Sequence, residues 1–375
     1  LFDHEVLFSF SKRASRRFPA AEAEMHGGVD PRQSALHIWI NASPVIPLST
    51  RTQNAASQWF RATEALGDFM GIRYGRVPHG SGEVEWFHVS HVECDGVGGF
   101  ARLLRQRGAV IDPLPKTNNP CRGIIGPLWR FWRNSRRYSN SATRGDWLRS
   151  HQPRSGPPGD PAWHLFSEQE TRLILEVGRR QRVTVNSLLL THLDASVRPE
   201  LGLCDARLPW MVPINMRGNG KVADDTSNQV SCFDVVIAPD DSVIEVHRQI
   251  LKRLADGEHR ANFLLMELGK LLGHERRMQY LARSRAKPAG NIGAFSNLGS
   301  WDPHKRIDSD DAWLFCPPLA TGQRLAAGCV TFQNKLGLMI QARRDPSDPP
   351  ELAKRWMVRW VARIGDGMNQ LQPES

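Results

Sequence analysis

The residues best suited to chemistry lie in one stretch, WFHVSHVECDGVGGF over residues 86–100, which carries His91, Cys94, Asp95 and Gly96. Imidazole titrates near neutrality, so a positioned histidine takes a proton from an attacking hydroxyl or amine and returns it to a leaving group. Strand alternation puts His91 on one face with Phe87 and Val89, and Trp86, His88 and Ser90 on the other. The glycines at 96, 98 and 99 permit a tight turn into a helix N-terminus, where backbone N–H groups are free. A nucleophilic Cys94 would need a base and an electropositive setting, and strand phase points its side chain away from His91, so it is read as a bystander. The bland alternative for His91 is a core histidine bonded to backbone.

Several elements must position this stretch. A strand is expected over 84–92, preceded by a strand over 72–77 and a Pro-His-Gly-Ser-Gly turn over 78–82. Upstream, alternation predicts a strand over 35–46, and an alanine- and phenylalanine-bearing stripe predicts a helix over 49–69. A short basic helix follows the motif over 100–107, with Leu103 and Leu104 inward. Residues 109–165 are rich in proline, glycine and arginine. Within them, 126–138 (GPLWRFWRNSRRY) interleaves aromatic residues with arginines. It reads either as a crossover linker or as an interfacial segment touching lipid. Further on, the pattern predicts helices over 167–181, opened by a Ser167/Glu170 capping box, and over 183–197. Strands are expected over 208–215, 229–237, 292–298 and 328–341, a mostly helical run over 241–271, and a closing helix over 350–364.

The chain has 375 residues, 40% hydrophobic and 23% charged, a globular composition long enough for two subdomains. Its six cysteines show no CxxC or Cys/His zinc spacing, so no metal is expected and the thiols read as reduced, in a cytoplasmic protein. No apolar run approaches the roughly 20 residues of a spanning helix. The net charge of +10 fits a basic surface or phosphorylated substrates, and no zinc-finger, KH or RRM pattern points to nucleic acid.

The HVECDG run resembles the HxxxDG signature of the thioester-dependent acyltransferases: chloramphenicol acetyltransferase, wax ester synthases and condensation domains. Four further segments are similar to that superfamily, in the expected order. SEQETRLILEVGRRQRVTVNSLLLTHL looks like the helix pair opening its second half. LPWMVPINMRG resembles the PVNxR strand, with Pro213, Asn215 and Arg217. GNIGAFSNLGSWD resembles the SNxG strand, with Ser296, Asn297 and Gly299. GCVTFQNKLGLMIQAR resembles the penultimate hairpin, with Asn334 and Lys335 at its turn. Two departures stand out: Ser90 fills the place of the usual first histidine, and the DFGWG motif of the plant enzymes is absent.

The resemblance implies an α/β (α+β) fold of two subdomains, 1–165 and 166–375, each a mixed sheet flanked by helices, with a channel between them. It implies acyl transfer from acyl-CoA or a phosphopantetheine-linked carrier protein to a hydroxyl or amine acceptor, small molecule or lipid, with His91 as general base and no bound cofactor. It makes Asp95 structural, paired with Arg73 or Arg76, beside Gly96 in the turn. Asn215, Arg217, Ser296 and Asn297 are then candidates for substrate contact, or for capping strand ends. Two other readings stay open: a condensation-type enzyme acting on carrier-tethered substrates, and a non-catalytic member that keeps the fold to bind a partner.

Overall fold

A computed structural model describes residues 54–80, 82–111, 114–116, 126, 128–129, 157–218, 225–285, 290–302, 311–345 and 348–369. The strand expected over 35–46 and most of 126–138 lie outside the described residues. All described residues belong to one compact unit.

Two sheets organise the fold. A six-stranded mixed sheet runs β3 (Ala162–Leu165), β9 (Lys335–Ala342), β8 (Leu325–Phe332), β6 (Gly293–Trp301), β4 (Leu208–Asn215), β5 (Val230–Ile237). A three-stranded sheet runs β2 (Glu85–Ser90), β1 (Gly71–Val77), β7 (Ala312–Cys316). Alternation decides which side of the large sheet is buried. Leu208, Trp210 and Val212 of β4, with Phe233, Val235 and Ile237 of β5, join the largest apolar cluster, which also takes in Trp356 and Trp360. On the opposite side, Leu298, Val330 and Phe332 share a second cluster with Ile72, Tyr74, Phe100 and Trp313.

Eight helices are needed below: α1 (Ala55–Ala65), α2 (Gly96–Gln106), α3 (Glu168–Arg180), α4 (Val185–Leu201), α5 (Val243–Asp256), α6 (Glu258–Leu268), α7 (Gly273–Arg285) and α8 (Leu352–Asn369). Their starts follow the sequence. Asn54, Asp95 and Thr184 each accept a backbone N–H three residues on, and Ser167/Glu170 and Ser242/Glu245 close reciprocal capping boxes.

Strand pairing links the two expected halves. The boundary at 165/166 does not divide the sheets, because strands cross it in both directions. β3, assigned to the first half, pairs with β9. β7, from the second half, pairs with β1 and completes the small sheet. The mostly helical run expected over 241–271 consists of two helices and a 3₁₀ turn, with Gly257, at a left-handed φ of 74°, separating α5 from α6.

α4 packs on α8, and His192 of α4 lies near Arg363 and Asp366. Burial, reinforced by Arg363, pushes the imidazole down to about 4. An unfolded histidine titrates near ~6.5, so between about pH 6.5 and 4 the unfolded chain binds a proton that the folded chain refuses. Stability contributed by the neutral imidazole is therefore full above that window and lost as the pH falls through it. Urea unfolding should show acid destabilisation of about 1–2 kcal/mol from this residue. His192→Gln should make the slope shallower; an unchanged slope would remove His192 from the acid response.

Candidate active site

β2 ends at Ser90, one residue short of the histidine. His91 therefore sits in a turn, its own N–H donating to the Met70 carbonyl at 2.8 Å, and strand phase does not set its direction. Three contacts do. Nδ1 lies 3.0 Å from the Cys94 carbonyl oxygen. The ring stacks on Phe60 of α1, with centroids 4.1 Å apart at 21°. Asn228 donates from Nδ2 to the His91 carbonyl.

The shorter Nδ1 contact, to the Cys94 carbonyl, favours one tautomer. A carbonyl only accepts, so the Cys94 contact requires the proton on Nδ1. The Asn228 amide nitrogen lies 3.1 Å from Nδ1, and it donates one of its two N–H groups to the His91 carbonyl. Nε2 then carries the lone pair and has no partner among the described residues. Burial lowers the imidazole pKa against the opposing effects of the Cys94 carbonyl and the nearby Asp95 charge, which favours the neutral, proton-accepting form. Cys94 thus contributes its carbonyl. Its thiol is buried and burial pushes its pKa far up, so no thiolate is on offer.

Asp95 caps α2 and is only 3% exposed. Its Oδ1 accepts from Gly98 N at 2.8 Å. Its Oδ2 accepts from Arg217 Nη1 at 2.9 Å and from Gln229 N at 2.7 Å. The partner is Arg217, and the expected pairing with Arg73 or Arg76 is corrected. The Tyr74 hydroxyl donates to the Gly96 carbonyl at 2.8 Å, so the Asp95–Gly96 turn lies on the Tyr74 face of β1. Arg73, of opposite parity, emerges on the other face, where its Nε donates to His88 Nε2 at 3.0 Å across the β1–β2 register. Arg76 shares the Tyr74 parity but is held by Asp311 and Glu85.

Arg217 is 4% exposed, and each of its guanidinium nitrogens donates a hydrogen bond within the protein. Besides Asp95, it donates to the Asp225 carbonyl at 2.8 Å, the Ser227 carbonyl at 2.9 Å and Asn215 Oδ1 at 3.2 Å. Asn215 is engaged too, donating to the Pro115 carbonyl at 2.7 Å. Together the pair folds the 225–229 segment over the motif. That segment brings in Asn228, 1% exposed, whose Oδ1 has no partner among the described residues. Sequence reasoning singled out neither Asn228 nor the Phe60 stack; both are brought to His91 by chain distant in sequence.

Ser296 and Asn297 of β6 diverge. Asn297 Oδ1 accepts from Gly299 N at 2.7 Å and shapes the strand end. Ser296 is buried on the strand face that carries Leu298, and Leu298 packs on Gly96 at the head of α2. Among the described residues its hydroxyl makes no hydrogen bond. No group of metal-binding side chains occurs among the described residues.

The segment approaches so closely that only glycine fits at 98, where a Cβ would overlap the Thr226 carbonyl oxygen. Backbone cannot yield as a flexible side chain does. Gly98→Ala should therefore cost roughly 2 kcal/mol or more in urea unfolding and displace Asn228. A neutral result would mean that the segment is not seated on α2.

No family model matches the chain, and no curated protein matches it in sequence. Among solved structures it is similar to a trichothecene 15-O-acetyltransferase from Fusarium sporotrichioides, at 14% identity and a TM-score of 0.48, over 76% of this chain and 65% of that one. It is similar to polyketide synthase associated protein 5 from Mycobacterium tuberculosis, at 14% identity and 0.46, over 77% and 75%. A third is the first condensation domain of the CDA synthetase, at 12% identity and 0.42, over 93% and 80%.

Proposed function

We propose that the chain is an acyltransferase in which His91 acts as general base on a hydroxyl or amine acceptor attacking a thioester. The observation that carries this reading is the placement of the ring: Nδ1 lies 3.0 Å from the Cys94 carbonyl, the imidazole stacks on Phe60, and Nε2 has no partner among the described residues. A core histidine kept for packing has no need of an unbonded basic nitrogen in a half-buried turn.

The steps balance without a covalent enzyme intermediate. The acceptor oxygen or nitrogen bonds to the thioester carbon as its proton passes to Nε2. The oxyanion collapses, the C–S bond breaks, and the leaving thiolate takes the proton back from Nε2. The unbonded Ser296 hydroxyl is the candidate donor to the oxyanion, a role in which one hydrogen bond is worth roughly 10²–10³ in rate. The donor is acyl-CoA or an acyl group on a carrier protein; the chain's +10 charge suits either phosphorylated arm.

The test is incubation with acyl-CoA and carrier-bound acyl donors plus hydroxyl and amine acceptors. Free thiol and acylated product are read by mass spectrometry. Product with either donor supports the reading and identifies the carrier. Donors left intact across the panel would favour a binding role.

A further inference from the structure

Between β5 and β6 the chain makes a helical excursion, α6, a 3₁₀ turn (Gly269–Leu272) and α7, whose tip presents apolar side chains to solvent. Leu268 is 55% exposed and Leu271 84%. Exposed single leucines are common. What distinguishes this pair is the rigidity of the turn beneath it.

Trp59 of α1 is buried and donates from Nε1 to the Met266 carbonyl at 3.1 Å. Gly269 lies so tightly on the indole that a Cβ there would overlap it, and Tyr280 of α7 meets the same ring edge-on at 5.8 Å. Arg277 is buried as well, its Nη1 donating to the Gly269 and Lys270 carbonyls at 3.3 and 3.4 Å. A buried indole and a buried guanidinium thus hold the turn in the one conformation that pushes both leucines outward.

Charge identifies the occupant. Lys270 and His274 flank the leucines, and Arg276 and Arg283, seven residues apart on the exposed side of α7, extend the basic rim. The opposing acids nearby are Glu267, paired with Lys270, and the exposed Glu275. Cations around an apolar tip suit an interface where acyl chains lie beneath anionic headgroups, in a chain of net charge +10. We propose that the 268–276 tip docks the protein on an anionic membrane surface. Trp59, which buttresses the tip, is followed by Phe60, which stacks on His91, so one helix joins the docking tip to the candidate site. The proposal stands apart from the acyltransferase reading and is tested without turnover.

Flotation of the full chain with vesicles decides it. The protein should rise with phosphatidylcholine–phosphatidylglycerol vesicles, less with phosphatidylcholine alone, and less again at raised salt. Leu268→Ser/Leu271→Ser and, separately, Arg276→Glu/Arg283→Glu should each weaken binding at least about tenfold. Their circular dichroism should be unchanged, since all four side chains are exposed. No flotation of the parent, or equal flotation of the variants, would overturn the proposal. Self-association abolished by the serine pair without any lipid binding would overturn it too, assigning the tip to a second copy.

Discussion

His91→Ala should reduce acyl transfer by roughly 10²–10⁴-fold while leaving donor affinity largely intact. The imidazole is the only group in the turn with an unbonded basic nitrogen, and the Cys94 thiol beside it is too buried to ionise and substitute. The pH profile supplies an independent check. Burial lowers the His91 pKa, so the neutral base persists below the ordinary histidine value of ~6.5, and the acid limb of kcat/KM should fall below that value. A limb at or above it would mean that another group titrates. Asn228→Ala should reproduce part of the loss in kcat with little change in KM, because it removes the donor that holds the His91 carbonyl and leaves Nε2 in place. A variant at position 91 with full activity would sink the mechanism.

The sequence made the histidine legible and its surroundings much less so. Helix starts were readable because capping is local: Ser167 and Glu170, three residues apart, satisfy each other. Strands β4 and β5 were readable because one face is buried against helices and alternation survives. β7 escaped because all five of its residues are buried, so AWLFC carries no period, and its pairing with β1 spans more than 230 residues. α7 escaped for the opposite reason: it is mostly polar, and Arg277 and Tyr280 supply contacts that leucines would ordinarily make. Arg217 is legible as a residue type in the right place, but its partner is not. Nothing in MRGNG says whether a guanidinium faces substrate or a buried carboxylate more than 120 residues away. Asn228 gave no signal, since its meaning depends on a segment folding back onto α2.

The Asp95–Arg217 pair should dominate the stability of this region. Removing one partner strands the other charge in a site nearly sealed from water, at a cost of ~3–5 kcal/mol. Arg217→Met also orphans the Asp225 and Ser227 carbonyls, which puts the loss at the upper end of that range. Arg73→Met is the sharp contrast: a half-buried arginine bonded, among the described residues, only to a neutral imidazole should cost under about 1 kcal/mol. Urea unfolding of the two variants side by side decides between the observed partner and the one expected from sequence; a larger loss for Arg73→Met would reverse the assignment. The double variant Asp95→Ala/Arg217→Met should lose less than the sum of its single changes, because neither charge is then left alone. Activity should not recover with it. Without the guanidinium the 225–229 segment should lose its seat and Asn228 its hold on the histidine, so in the proposed reaction the pair acts through the position it imposes on a residue it does not hydrogen-bond.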